Sequence, residues 1–246
     1  MATLNSWLPA PAGLELPQDE VHVWRAGLDL SAERLEQLHQ LLSADEQQRV
    51  ARFYFEKDRR HYAAARGFLR TILARYLRLE PAHLRFSYNT FGKPEVAAGL
   101  SDNSVRLNLA HSHGLALFAV TRTREIGVDL EQVSAERATM DIAQRFFAPA
   151  EVAVLHSLPE EARCRAFFNC WTRKEAFIKA RGLGLSLPLN QFAVTLAPGD
   201  APALLSAQND PQAPGRWILR ELDVANGYAA ALAVEGHGWD LRCWDC

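Results

Sequence analysis

The sequence predicts an α+β fold built from two similar α+β halves with pseudo-twofold symmetry, over residues 1–122 and 123–246. One observation is that each half contains alternating apolar strands around a single long amphipathic helix. Another is that the shift that superposes the strands of the two halves also places Glu46 on Glu151. The alternative is that any α+β chain shows this degree of similarity in the order of its elements. Because ligands tend to bind where two such units meet, we expect the active site in the cleft between the halves.

The elements of the first half follow one another at ordinary spacing. A stretch rich in Pro and Gly over 8–19 predicts a strap without regular structure. Ser43 and Glu46 have the spacing of a capping box, which predicts that a helix begins there. The remaining predicted elements are a strand over 21–28, helices over 31–42 and 58–78, and strands over 84–90, 105–111 and 115–122.

The second half repeats this order. A strand begins it, and the segment FAPAE at 147–151 has the composition of a helix start. The predicted elements are a strand over 126–133, a long helix over 166–181, and strands over 192–196, 216–222 and 228–235. The second half therefore provides a strand and a long helix that can face each other.

Composition excludes several classes of protein. Lys and Arg number 27 against 29 Asp and Glu, so the net charge of −2 indicates no nucleic-acid partner. No apolar run reaches the ~18 residues that span a membrane. The N-terminal segment lacks the charged start and apolar stretch of a secretory signal. We therefore expect a cytoplasmic protein with no membrane partner.

Four cysteines contribute little to the functional interpretation. Cys164 and Cys170 lie on different faces of the predicted helix. Cys243 and Cys246 form a C-x-x-C pattern, but a redox pair of this kind normally opens a helix, and no helix follows here. Ordinary thiols are favoured, with a metal or redox role as the alternative.

Two carboxylates occupy one face of the strand over 126–133. Side chains alternate along a strand, so Asp129 and Glu131 point the same way, roughly 7 Å apart at the backbone. Like charges this close repel unless a positive charge lies between them. A hard cation such as Mg²⁺, which takes oxygen ligands, is an economical solution. The alternative is the exposed polar face of an edge strand.

The long helix over 166–181 carries charge on its apolar side. At 100° per residue, Lys174 falls among the apolar residues, and Glu175 falls between Trp171 and Phe168. Lys179 lies one turn after Glu175, so these two side chains can form an i,i+4 pair. A helix that only needed packing would not place Lys and Glu there. Two explanations fit this pattern. One is a buried ion pair together with a lysine whose apolar stem is buried and whose ammonium group reaches solvent. The other is a metal site with a cation nearby that binds phosphate.

Three further cations occur where an anion could bind. Lys93 lies in the turn FGKP, between a flexible and a fixed residue. His111 lies at the end of the strand over 105–111, close to Gly114. Arg49 belongs to the most basic stretch of the chain, over 49–70. Each could instead belong to an ordinary turn or a solvated helix face.

Several motifs occur together in a specific order. They are FGKP (91–94), LNLAHS (107–112), GVDLE (127–131), the RFF..AE pattern from Arg145 to Glu151, WTRKEAFIK (171–179) and GLGLSLPL (182–189). This set resembles the ordered signatures of the Sfp-type 4′-phosphopantetheinyl transferase family. The resemblance covers about residues 43–195, and GVDLE with W-x-x-K-E-x-x-x-K at this separation is specific.

The resemblance implies a metal site and a base. Asp129, Glu131 and Glu175 match the Mg²⁺ ligands of the family, and Mn²⁺ is an alternative because it accepts the same oxygens. Members of this family modify a serine hydroxyl of an acceptor protein, and that hydroxyl needs a base to remove its proton. The candidates for the base are Glu175, acting directly, and Glu151, acting through water. Glu151 also begins a helix, so capping explains its position equally well.

The resemblance also implies how coenzyme A is bound. Lys93 and His111 match contacts to its phosphates, Arg49 fits a cation near its 3′-phosphate, and Lys179 matches the lysine beside the pyrophosphate. Lys174 is a further candidate for offsetting phosphate charge. Ala110 departs from the family pattern, since many members carry Ser there, and this puts one phosphate contact in doubt.

The implied activity is a Mg²⁺-dependent group transfer. The 4′-phosphopantetheine moiety of coenzyme A passes to a serine of an apo acyl or peptidyl carrier protein, and adenosine 3′,5′-bisphosphate is released. The carrier belongs to a fatty-acid, polyketide or peptide synthetase, and the enzyme is a monomer. Two alternatives are a non-catalytic carrier-protein or coenzyme A binding module of the same fold, and a glycoside hydrolase that uses Asp129 and Glu131 as its carboxylate pair.

Overall fold

A computed structural model describes residues 5–100 and 104–246 of the chain. Expectations that concern residues 1–4 and 101–103 lie outside that description. The protein is a mixed α+β structure, as the sequence predicts. No helix within the described ranges has both the length and the apolar character needed to cross a membrane.

The elements are numbered in chain order. The helices are α1 (Ala32–His39), α2 (Ala44–Arg52), α3 (Glu56–Leu77), α4 (Met140–Phe146), α5 (Pro149–Ser157), α6 (Glu160–Arg181) and α7 (Ala213–Arg216). Strands of the first half are β1 (Trp7–Pro9), β2 (Glu20–Gly27), β3 (Phe86–Tyr88), β4 (Pro94–Val96), β5 (Val105–Ser112) and β6 (Leu115–Arg122). Strands of the second half are β7 (Ile126–Gln132), β8 (Phe192–Val194), β9 (Leu204–Ala207), β10 (Trp217–Glu221), β11 (Tyr228–Glu235) and β12 (Asp240–Asp245).

The two halves share one topology. In the first half, β2 leads to the long helix α3 and then to β5 and β6, which pair in the order β2-β6-β5. In the second half, β7 leads to α6 and then to β10 and β11, which pair in the order β7-β11-β10. Both long helices contain 22 residues. Each half thus places one long helix between the first and the later strands of its three-strand unit, as the predicted pseudo-twofold arrangement requires.

The last strand was not predicted from the sequence. Strand β12 lies between β1 and β2 in a five-stranded sheet and runs parallel to both. Residues beyond the predicted boundary at 122/123 therefore complete the sheet of the first half. Cys243 is buried in that sheet, and all four cysteines are free, which agrees with ordinary thiols.

The halves meet where β5 lies beside β7. The side chain of Asn108 accepts a hydrogen bond from the backbone N–H of Val128 at 2.8 Å, and Ser112 Oγ accepts one from Gln132 N–H at 3.2 Å. These side chains satisfy N–H groups at the edge of β7 that have no strand partner on that side. The contacts hold β7 in a defined position against the first half.

The two short helices α2 and α5 begin in the same way. Glu46 accepts a hydrogen bond from Ser43 N–H, and Glu151 accepts one from Ala148 N–H. Each buried carboxylate also binds cations of the long helix of its own half. Arg66 and Arg70 bind Glu46 at 2.5 and 2.6 Å, and Lys174 binds Glu151 at 2.8 Å. The match between Glu46 and Glu151 in the sequence therefore corresponds to equivalent structural positions.

Candidate active site

Gly127 allows helix α6 to lie directly on strand β7. A Cβ atom at this position would be 2.1 Å from the carbonyl oxygen of Ala176 and 2.3 Å from the backbone nitrogen of Ala180. Only glycine permits backbones to approach this closely. The contact places Glu175 of α6 beside Asp129 of β7.

Asp129 lies at the bottom of this contact and is only 4% exposed. Its Oδ1 accepts a hydrogen bond from the ammonium group of Lys179 at 2.7 Å. Its Oδ2 is buried and has no hydrogen-bond partner among the described atoms. A buried carboxylate oxygen without a partner is costly, so this atom is available for a cation or a donor from a ligand.

Glu131 follows two residues later and is anchored at one oxygen. Oε2 accepts hydrogen bonds from Ser112 Oγ at 3.0 Å and from Arg137 Nη1 at 3.2 Å. Ser112 belongs to β5 of the first half, and Arg137 to the loop after β7. Glu131 is thus held by both halves. Neither Ser112 nor Arg137 was singled out as a functional residue from the sequence, because nothing local in the chain indicates these contacts.

Glu175 completes a group of three carboxylates. Burial raises the pKa of this side chain first, and the negative charge of Asp129 raises it further. Lys179 lowers the pKa in part, and Glu131 contributes a weaker upward shift. Charge repulsion from both neighbours places Glu175 within electrostatic reach of Asp129 and Glu131.

The donor set suits a hard cation. Across residues 5–100 and 104–246, no three Asp, Glu, His or Cys side chains stand in a ready-made metal cluster. However, Asp129 has an orphaned buried oxygen, and the negative charges of Asp129 and Glu131 both raise the pKa of Glu175. All their free ligand atoms are carboxylate oxygens, which Mg²⁺ and Mn²⁺ accept. A divalent cation would satisfy the orphaned oxygen and remove the repulsion.

Two neighbouring cavities open near this site, and Glu175 lines the smaller one. The larger has a volume of about 610 Å³, and its walls include Arg49, Lys57, His61, Tyr62 and His111. The smaller, about 290 Å³, has walls that include Lys93, Asn108, Glu175, Lys179 and Gly184. Gly92, Pro94 and Leu109 border both cavities, so they are neighbours.

The larger cavity contains two of the predicted coenzyme A contacts. Arg49 is exposed and lies over the ring of Tyr62 at 5.4 Å. His111 faces the cleft, and its pKa is lowered first by desolvation from the cavity walls and then by the charge of Lys179. Ala110, which precedes it, is buried in the apolar core. This cavity is rich in cations and aromatic rings.

Lys93 has a role that the sequence does not suggest. Its ammonium group donates to the carbonyl oxygens of Ile126 at 3.2 Å and Ala180 at 3.1 Å, and pairs with Glu125 at 3.3 Å. Burial lowers its pKa. The turn FGKP therefore links the first half to the start of β7 and the end of α6, while Lys93 still borders the smaller cavity.

Lys174 and Glu151 lie away from both cavities. Lys174 is fully buried and donates to the carbonyl oxygens of Leu189 and Phe192 as well as to Glu151. Glu151 is 1% exposed, and Val194 N–H occupies its second oxygen at 2.7 Å. The suggestion that Lys174 offsets phosphate charge is wrong, since no ligand can reach its ammonium group. The same burial removes Glu151 as a base, because both of its oxygens are occupied by protein donors.

Comparison with known proteins identifies the family. The family model described as "4'-phosphopantetheinyl transferase superfamily" matches residues 125–233, and that described as "4'-phosphopantetheinyl transferase, N-terminal" matches residues 29–123. The 4′-phosphopantetheinyl transferase HetI of Nostoc sp. is 42% identical over 240 residues, which cover 98% of each chain. The chain therefore belongs to the 4′-phosphopantetheinyl transferase family.

The chain is also similar to a second curated protein and to a solved structure. The 4′-phosphopantetheinyl transferase Sfp of Bacillus subtilis is 31% identical over 206 residues, covering 83% of this chain and 87% of its own. The crystal structure of Helicobacter pylori holo-[acyl-carrier-protein] synthase in complex with coenzyme A aligns with 45% of this chain and 99% of its own, at 20% identity and a TM-score of 0.36. The resemblance to Sfp-type enzymes in the sequence motifs is confirmed, and the glycoside hydrolase alternative is excluded.

Proposed function

We propose that this protein transfers the 4′-phosphopantetheine moiety of coenzyme A to a serine of an apo acyl or peptidyl carrier protein. The observation that carries the proposal is that Glu175, which is influenced by the charges of Asp129 and Glu131, lines a cavity together with Lys93 and Lys179, next to a second cavity rich in cations. Membership in a family of transferases supports the same reaction. Phosphoryl transfer depends mainly on positioning and charge neutralisation, so carboxylates and cations without a covalent nucleophile suit it.

Asp129, Glu131 and Glu175 would hold the Mg²⁺ ion. The unpartnered Oδ2 of Asp129 and the repulsion that Asp129 and Glu131 exert on Glu175 support this assignment. When bound, the ion supplies charge neutralisation at the pyrophosphate of coenzyme A. Mn²⁺ would serve as an alternative.

Glu175 is the base in this proposal. The serine oxygen forms a bond to the β-phosphorus, the bond from that phosphorus to the adenosine 3′,5′-bisphosphate oxygen breaks, and the leaving group keeps the electron pair. The serine proton passes to Glu175. The place of this carboxyl in the wall of the smaller cavity, beside Lys179, supports the role. Glu151 instead stabilises helix α5 and Lys174.

The two cavities accommodate different parts of coenzyme A. Arg49 and His111 in the larger cavity bind the 3′-phosphate, and the aromatic rings beside them suit an adenine. Lys179 in the smaller cavity donates to the pyrophosphate. Lys93 holds β7 and α6 together at the wall of this cavity, through its hydrogen bonds to the carbonyl oxygens of Ile126 and Ala180.

The acceptor is proposed as a carrier domain of a fatty-acid, polyketide or peptide synthetase. The sequence does not separate these three classes. We also propose that the protein acts in the cytoplasm as a monomer, as the sequence analysis and the family resemblance imply.

Mass spectrometry of acceptor proteins tests the activity. The chain is incubated with coenzyme A, Mg²⁺ and a panel of apo carriers, and the mass of each carrier is measured before and after the reaction. We expect one phosphopantetheine group on at least one carrier, and no gain with the Glu175→Ala variant or after chelation. A chain that binds coenzyme A but modifies no carrier would support the non-catalytic binding module instead.

A further inference from the structure

Each carboxylate of strand β7 is held by the protein at one oxygen. Lys179 occupies Oδ1 of Asp129, and the orphaned atom is Oδ2. On Glu131, both described donors, Ser112 and Arg137, converge on Oε2. In each case the second oxygen is left to a ligand. This pattern differs from one in which cationic side chains simply cover the carboxylates.

Ser112 is suited to hold Glu131 because it is itself fixed. It is 8% exposed and lies at the end of β5, in the sheet of the first half. Its Oγ accepts the N–H of Gln132, the residue after Glu131, and donates to Glu131 Oε2. One hydroxyl therefore fixes both the backbone and the side chain at this point of β7.

Arg137 restrains the same oxygen from the other side. One guanidinium nitrogen donates to Glu131 Oε2, and the other donates to the carbonyl oxygen of Gln132. The guanidinium also lies over the ring of Phe168 at 5.5 Å. Because the planar group is held at three points, it is pre-organised rather than mobile.

We propose that Ser112 and Arg137 are positioning residues that fix Glu131 through Oε2, so that its other oxygen is presented to the divalent cation. The inference rests on the metal site of the proposed function. Groups that orient a metal ligand typically change metal affinity by 10–100-fold when they are removed. Ser112 acts across the boundary between the halves, so the cation site depends on the first half although its three carboxylates belong to the second.

Direct binding of Mn²⁺ tests this proposal without turnover. Free Mn²⁺ is measured by electron paramagnetic resonance in titrations of the full chain with coenzyme A present and no acceptor. Ser112→Ala removes the donor without changing charge, and we expect the Mn²⁺ dissociation constant to rise at least about tenfold. Ser112→Thr retains the hydroxyl and should restore most of the affinity. Unchanged affinity in Ser112→Ala would overturn the role of Ser112.

Arg137→Gln separates positioning from simple charge competition. If Arg137 positions Glu131, Mn²⁺ binding weakens by about tenfold although a positive charge has been removed. If Arg137 merely occupies the site of the cation, Mn²⁺ binding tightens, and the proposal is wrong for this residue. Arg34→Gln removes an arginine of α1 that binds Gln37 of the same helix, so it is the matched control and should bind Mn²⁺ as the parent does.

These outcomes distinguish the inference from the proposed function. A parent chain that binds no Mn²⁺ would contradict the metal site itself, whereas equal binding by the parent and all variants contradicts only the positioning roles. Circular dichroism and melting curves check that each variant is folded. If Ser112→Ala does not fold, Arg137→Gln and Ser112→Thr decide the question.

Discussion

The ammonium group of Lys179 lies 2.7 Å from Oδ1 of Asp129, across the contact between α6 and β7. The sequence spacing also allows Lys179 to pair with Glu175 on its own helix. The tertiary structure directs it to the buried aspartate, and it affects Glu175 only by lowering the pKa of that carboxyl in part. Lys179 therefore neutralises one carboxylate and leaves Glu175 with a raised pKa.

Replacing Lys179 tests whether this lysine acts in catalysis. In Lys179→Met, kcat should fall by roughly 10²–10³, because a charge that stabilises the transition state is lost. The melting temperature should also fall, since Asp129 loses its hydrogen-bond donor in a buried position. Lys179→Arg should show smaller decreases in kcat and in melting temperature than Lys179→Met, because it retains the positive charge. Near-normal kcat in the two variants would leave Lys179 as a structural ion-pair partner only.

Glu175 should destabilise the protein when no metal is bound. Its raised pKa means that the folded chain binds the proton more readily than the unfolded chain does, so the ionised group lowers stability above that pKa. In chelator at neutral pH, Glu175→Gln should raise the melting temperature by roughly 2–4 °C while abolishing transfer. The gain should disappear as the pH falls through the raised pKa.

A control for this substitution lies on the same helix. Glu161 is exposed in the first turn of α6, where the helix dipole stabilises a negative charge. Glu161→Gln should therefore not raise the melting temperature. A lower melting temperature for Glu175→Gln in chelator would contradict the repulsion between the carboxylates.

Gly127 should be intolerant of a side chain. In Gly127→Ala, the methyl group meets backbone atoms of α6 at 2.1 and 2.3 Å, so the helix must move away from β7. Overpacking of this kind costs about 1–3 kcal/mol or more, and the shift also separates Glu175 from Asp129. We expect denaturant midpoints and transfer rates to fall together. Gly13→Ala, where nothing lies within 4 Å of the added Cβ, should change neither.

Glu151 and Lys174 should behave as a structural pair. Glu151→Gln leaves Lys174 charged in a fully buried site, which should cost about 3–5 kcal/mol of stability. The double variant Glu151→Gln with Lys174→Met should recover much of that loss, as a double-mutant cycle in denaturant would measure. A large loss of kcat in Glu151→Gln with an unchanged melting temperature would instead return Glu151 to the role of base.

The predicted coenzyme A contacts should separate by cavity. Arg49→Ala and His111→Ala should weaken binding of coenzyme A more than binding of its 3′-dephospho form, with a loss of about 1–3 kcal/mol for a hydrogen bond to a charged phosphate. Lys93→Ala should affect both ligands equally and also lower the melting temperature, because Lys93 binds the carbonyl groups of Ile126 and Ala180. Calorimetric titration with both ligands measures the difference. If each of the three variants lost the same affinity for coenzyme A as for its 3′-dephospho form, the 3′-phosphate would not bind in the larger cavity.

The sequence alone predicts most of the elements that surround the proposed site. Apolar periodicity identifies strands such as β6, over 115–122, and the long helices α3 and α6, because periodicity is a local property of the chain. The capping-box spacing of Ser43 and Glu46 likewise predicts the start of α2. Strand β12 escapes prediction because Asp240, Arg242 and Asp245 interrupt its apolar pattern and its neighbours β1 and β2 lie more than 200 residues earlier.

The motifs of the sequence determined which residues are proposed to carry the chemistry, and the tertiary structure decided which partners each of them meets. Asp129, Glu131 and Glu175 follow from spacing along one strand and one helix. Whether Lys174 meets a phosphate or Glu151, and whether Lys179 meets Glu175 or Asp129, depends on the packing of α6 against β7 and α5. The same holds for Ser112, which reaches Glu131 only because the two halves join at β5 and β7. Ion-pair and hydrogen-bond partners lie far apart in the chain, so local spacing cannot specify them, whereas burial and the need to satisfy each charged group do.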